Sequence, residues 1–108
     1  PEARVYSIVG RLKELIISGG FNIYPREVET EIDRYPGIRA SAVVGIADPA
    51  RGELPIAFVE CDTTIEPSAL LAFLRERIAS FKIPKEIRVV SSLPRNALGK
   101  IEKQKLKS

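Results

Sequence analysis

The chain has 108 residues, a net charge of +3 and a composition that is 44% hydrophobic and 29% charged. That length fits one domain, and a chain this size buries roughly 65% of its unfolded surface, enough for a core without staples. With no histidine and one cysteine, Cys61, neither a zinc site, nor Ser-His or Cys-His nucleophilic machinery, nor an internal disulfide is available. No apolar run reaches the roughly 20 residues that cross a bilayer and no signal-peptide pattern opens the chain, so a cytoplasmic protein without a transmembrane segment is expected. The absence of methionine and the start at Pro1 fit either initiator removal or excision from a longer protein.

Short β-branched runs at Val5–Val9 and Leu15–Ile17, broken by Gly10 and Gly19-Gly20, suit a small N-terminal ribbon. "YPREVETEIDRYPG" reads as a helix, with Pro25 near its first position and Val28, Ile32 and Tyr35 forming one stripe. Pro36-Gly37 stops it. Two apolar strands, "IRASAVVGIADP" and "LPIAFVECD", are joined by the turn "DPARGE". Pro67 starts a second helix whose Leu71, Leu74 and Ile78 face the core with Leu70 and Phe73 beside them. "IRVV" is a third strand with Ile87 and Val89 on one face, and a short basic tail closes the chain. The expectation is an α+β fold: a small central antiparallel sheet of about three strands with flanking helices, plus an N-terminal two-stranded ribbon. The apolar setting of Cys61 marks it as an inert strand thiol.

From Arg95 to Lys107 there are five basic residues against Glu102, so the basicity is local to the C-terminal end. Within it "PRNALGKI" is not a phosphate loop. Pro94 stands where the first glycine belongs, and Ile101 follows the lysine in place of Ser or Thr. What remains is Lys100 behind Gly99, which can take positive φ and has no side chain to obstruct a ligand. From these residues alone Lys100 reads as a solvated cation, a phosphate grip or a catalytic group. Gly19-Gly20 likewise reads as a plain turn or a place of close ligand approach. Arg11 with Lys13, and Arg51, Phe81 and Lys85, read as ordinary turn and loop residues.

Four blocks taken in order, "GRLKELIISGGFNIYPREVE", "AVVGIADPARGE", "FKIP" and "LPRNALGKI", resemble the C-terminal domain of adenylate-forming enzymes, specifically acyl-CoA synthetases of the bacterial fatty-acyl, aryl and malonyl type. The resemblance runs from about Tyr6 to Leu106. It implies that residues 1–108 are a mobile lid with a hinge near 11–14 and a catalytic-lysine loop at 94–101. The parent enzyme would convert a carboxylate and ATP to acyl-AMP and pyrophosphate, then pass the acyl group to CoA. Lys100 matches the lysine that reaches the carboxylate and α-phosphate, Arg11 an arginine near the ATP ribose, and Lys13 the hinge position. Gly19 and Gly20 match the turn beside the pantetheine path, while Arg51, Phe81 and Lys85 fall where relatives contact the CoA nucleotide.

ATP and CoA are then co-substrates. Mg2+ is expected in an N-terminal adenylation domain of the same polypeptide, with no metal or cofactor on this domain alone. The isolated domain is expected to be inactive, and the spacing of Pro94, Gly99 and Lys100 resembles a target of lysine acetyltransferases. Two other readings remain: a standalone lid acting on a separate adenylation domain, and a basic nucleic-acid module, for which no RNP-like or helix-turn-helix pattern is present.

Overall fold

The computed structural model describes residues 15–106; the expected hinge near 11–14, with Arg11 and Lys13, lies outside them. Strands β1 (Ile16–Ser18) and β2 (Phe21–Ile23) form a hairpin in which Ser18 pairs with Phe21. Its two loop residues, Gly19 and Gly20, have φ of 57° and 86°. Positive φ at both positions is what a tight hairpin matching the right-handed strand twist requires, and glycine meets it without strain.

Helix α1 (Pro25–Ile32) begins on a proline, whose fixed φ suits the first turn, and buries Pro25, Val28 and Ile32. Strands β3 (Ile38–Asp48) and β4 (Gly52–Cys61) pair antiparallel along their length, from Ile38 opposite Cys61 to Asp48 opposite Gly52. Asp48 Oδ2 closes the intervening turn by accepting the Ala50 and Arg51 N–H groups at 3.1 and 2.8 Å. Helix α2 (Pro67–Arg75), a 3-10 turn (Ser80–Lys82), β5 (Glu86–Val90) and a one-turn α3 (Lys103–Leu106) complete the chain. No described helix is long and apolar enough to cross a membrane.

The α+β class and the N-terminal hairpin agree with the sequence reading. The sheet differs from it in two respects. The hairpin is not separate, because Ser18 of β1 pairs with Gly52 of β4 and makes one five-stranded sheet. Nor is that sheet wholly antiparallel, because β5 runs parallel to β4, Ile56 opposite Glu86 through Glu60 opposite Val90. The chain leaves the far end of β4, crosses back through α2 and re-enters beside the middle of β4 at Ile56, which is how a helical crossover delivers a parallel strand.

Both faces of the sheet are covered. Val43, Ala57, Val59 and Ile87 face Val28 and Ile32 of α1 and Leu70 and Leu74 of α2, with Ile16 and Ile23 of the hairpin in the same core. On the opposite face Ala42, Val44, Ile56 and Phe58 lie under Leu93, with Val90, Ile101 and Leu106 packed around them. The polar C-terminal stretch is therefore the lid of a second core, which explains why β3 and β4 are apolar in unbroken runs. Val89, expected on the core side with Ile87, is 50% exposed instead. Along the outer edge of β3, α1 and the Asp33 that caps its C-terminus supply carboxylates. Glu29 Oε2 accepts the Val43 N–H at 2.8 Å, and Asp33 Oδ1 accepts the Ser41 hydroxyl at 2.7 Å. An edge strand occupied in this way is a poor template for another chain.

Candidate functional site

The segment that presents Lys100 starts from a buried foot, Leu93, which is 3% exposed in the second core. From there the chain turns out and back as a narrow hairpin. The Glu102 N–H donates to the Pro94 carbonyl at 2.8 Å, Arg95 bridges Ile101, and the Asn96 N–H donates to the Lys100 carbonyl at 2.9 Å. Asn96 closes the tip from within: its Oδ1 accepts the N–H groups of Leu98 at 2.9 Å and Lys100 at 3.0 Å. Gly99 has φ of 85°, with no atom within 4 Å of where a Cβ would stand. Its conformation, rather than any lack of room, requires glycine there. Lys100 follows at the exposed tip, and among the described residues no carboxylate pairs with its ammonium group. These hydrogen bonds restrain the loop backbone beyond what the fixed φ of Pro94 provides.

The sequence reading missed the base of this hairpin. Glu60 of β4 is 2% exposed, and its carboxylate accepts Arg95 Nη2 at 2.9 Å, Arg95 Nη1 at 3.1 Å and the Leu93 N–H at 2.9 Å. Arg39 Nε adds a longer contact at 3.5 Å and places its Nη1 2.8 Å from Asp62. The paired Arg95 hydrogen bonds and the Leu93 amide outweigh burial and hold the Glu60 carboxyl down at about 2. The available signal was a glutamate inside "IAFVEC": strand alternation places Glu60 on the Ile56–Phe58 side, and a charge there needs partners.

A second group of candidate residues meets at the β1–β2 hairpin. The Gly19 N–H donates to the Arg51 carbonyl at 2.9 Å, and Arg51 Nη1 lies 3.3 Å from where a Gly19 Cβ would stand. Gly20 faces open space. Phe81 stacks on Phe21, the residue after the glycine pair, with ring centroids 4.7 Å apart and planes 22° apart. Both rings are partly exposed, at 39% and 51%. Lys85 is tied to the sheet by its backbone, its N–H donating to the Pro55 carbonyl at 2.8 Å. Gly19, Gly20, Arg51 and Phe81 thus come together, Lys85 stands at the entry to β5, and Lys100 belongs to a different segment on the other face.

The basic tail is less available than its charge suggests. Lys103 Nζ is 2.7 Å from Glu29 and Lys105 Nζ 3.0 Å from Glu102. Among the described residues no group of three or more His, Cys, Asp or Glu could hold a metal ion. Burial raises the Cys61 thiol pKa, as expected for an unreactive strand cysteine.

The chain belongs to the AMP-binding enzyme C-terminal domain family, whose model matches residues 27–100. Feruloyl-CoA synthase of an Amycolatopsis species is 47% identical over 100 residues, covering 91% of this chain and 20% of that protein. The ATP-bound structure of MatB from Rhodopseudomonas palustris superposes with a TM-score of 0.84 at 43% identity, over 88% of this chain and 19% of that one. Mycobacterium tuberculosis fatty acyl CoA synthetase gives 0.86 at 39% identity, over 90% and 20%. The chain therefore spans about a fifth of the length of the relatives it matches.

Proposed function

We propose that this chain is the C-terminal domain of an ATP-dependent acyl-CoA synthetase, an acid–thiol ligase, and that Lys100 is its adenylation lysine. The observation that carries the reading is the loop of residues 94–101. Its hydrogen bonds hold the backbone of a lysine that has no carboxylate partner among the described residues and leave that lysine exposed, the arrangement expected of a cation meant for a site outside its own domain. The family membership and the CoA ligases among the relatives support the same reading.

In the first half-reaction a carboxylate oxygen of the acid attacks the α-phosphorus of ATP. The bond from that phosphorus to the bridging oxygen breaks, and pyrophosphate leaves with the electron pair. Two anions must approach, and charge then moves onto the leaving group. A positioned ammonium group lowers both costs without giving up its proton. Arg11 would lie by the ribose and Lys13 at the hinge of the rotation that separates the half-reactions. In the second half-reaction the CoA thiolate attacks the acyl carbon and AMP leaves. The Gly19-Gly20 turn would border the pantetheine arm, with Phe81 stacking and Arg51 and Lys85 facing the nucleotide phosphates.

Mg2+ belongs in this reading to an N-terminal adenylation domain. Glu60 and Glu29, two of the acids here, already serve Arg95 and Val43. A cytoplasmic location and acetylation of Lys100 by a lysine acetyltransferase belong to the same proposal. The exposed loop suits such a modification, which would remove the charge adenylation needs.

The test uses the ligase that carries this domain. Lys100→Ala abolishes acyl-adenylate formation, read as carboxylate-dependent pyrophosphate exchange, and leaves thioester formation from supplied acyl-adenylate largely intact. Normal exchange in that variant overturns the assignment.

A further inference from the structure

Glu60 is a buried carboxylate to which the reaction above gives no task. Charged groups are almost never fully buried without a partner, and a strand interior offers cheaper residues for filling space. Its three shortest contacts lead to one place. Two of its three shortest hydrogen bonds come from the Arg95 guanidinium and the third from the Leu93 N–H. These two residues flank Pro94 at the start of the loop, and Arg95 is also the residue bridged to Ile101. The next pair toward the tip is Asn96 with Lys100 itself. A continuous path of short contacts thus runs from the centre of the sheet to the lysine backbone. Arg39 backs Glu60 from the opposite strand, beside the register shift between Ile38 and Ala40.

We infer that Glu60 is a positioning residue for Lys100: through Arg95 it fixes the direction in which the lysine hairpin leaves the sheet. The inference rests on the adenylation role of Lys100. A guanidinium held by two nitrogens against one carboxylate cannot swivel about a single contact, so the hairpin is braced in orientation as well as anchored. With the brace cut, Leu93 and Ile101 still hold the segment to the second core, but the tip is free to tilt. A displacement of about 1 Å at a charge that must meet a transition state costs on the order of a hundredfold in rate.

Three variants in the same ligase test this, with both half-reactions measured. Glu60→Gln removes the charge from the buried side. Arg95→Gln cuts the same link at a side chain that is 36% exposed; it leaves the buried Glu60 carboxylate with Arg39 and the Leu93 N–H, so the melting temperature of each variant is measured alongside its rates. Lys100→Ala reports on the underlying assignment. The expected result is that Lys100→Ala abolishes adenylation, and the other two lower its kcat by roughly ten- to a hundredfold. ATP KM stays near that of the wild type, and thioester formation from supplied acyl-adenylate is retained. In the 108-residue chain the same two variants speed amide hydrogen exchange at Asn96, Gly99 and Glu102 and leave the β3–β4 ladder protected.

If Lys100→Ala abolishes adenylation while Glu60→Gln and Arg95→Gln adenylate normally, the positioning role is wrong and the function stands. If both half-reactions fall together with the melting temperature, Glu60 is merely structural and the inference is overturned. If Lys100→Ala adenylates normally, the function falls and this inference with it.

Discussion

Gly19 and Arg51 are joined by one hydrogen bond and lie close beyond it: the glycine N–H donates to the arginine carbonyl at 2.9 Å, and the guanidinium lies 3.3 Å from where a Gly19 Cβ would stand. The first contact ties the tip of the β1–β2 hairpin to the turn before β4. The second relation puts a cation beside Gly19, the first of the two glycines that the proposed function sets next to CoA. A loop glycine and an arginine 32 positions later in the chain thus form one small surface.

Gly19→Ala lowers stability by about 1–2 kcal/mol, because a Cβ is disfavoured at positive φ. Urea unfolding of the 108-residue chain measures it. The guanidinium is the flexible end of a long side chain and moves aside, so the double variant Gly19→Ala/Arg51→Ala does not recover the loss. Recovery in the double variant would place the strain in the contact instead of the backbone.

Glu60 makes stability depend on acid. Its carboxyl sits at about 2 in the folded chain against an ordinary 4.5. Above 4.5 the group is ionised in both states and its contribution is fully present. As pH falls through 4.5 toward 2 the unfolded chain takes up the proton first, and the contribution drains away. The stability difference between wild type and Glu60→Gln should therefore be largest near neutrality and shrink between pH 4.5 and 2. Urea titrations across that range check it; a constant gap would mean that the carboxylate is not held by its charge.

Leu70→Ala and Val89→Ala separate core from surface. Leu70 is fully buried between α2 and the sheet, and its truncation costs about 2–5 kcal/mol. Val89 is half exposed, and the same change there stays within about 0.5 kcal/mol. Chemical denaturation of the two variants under one condition is sufficient, and similar losses would contradict the burial of the helix face alone.

Much of the architecture was legible residue by residue. Pro25 and Pro67 mark the first turns of both longer helices, since proline suits a helix start and breaks an interior. The Val28–Ile32 spacing marks the face α1 buries, whereas α2 fully buries Leu70 and Leu74, and Leu71 and Ile78, expected with Leu74 in one core stripe, are only partly buried. Gly19-Gly20 and Asp48 to Gly52 announce tight reversals, because positive φ and side-chain-closed turns are local properties. Gly99 and Lys100 stood out for the same reason.

Tertiary structure decided what depends on contacts distant in sequence. Nothing in "EIRVV" says which edge of β4 it takes or in which direction; the crossover through α2 made it parallel. The alternation that put Val89 beside Ile87 carries no information on which of the two the rest of the chain covers, and only Ile87 is buried. The polar ending hid the three residues, Leu93, Ile101 and Leu106, that close the second core. Glu60 and Arg95 are 35 positions apart, and each is an ordinary charged residue until the fold removes water from between them. Local sterics and periodicity wrote the elements and the lysine tip into the sequence, whereas only packing chose the carboxylate that aims it.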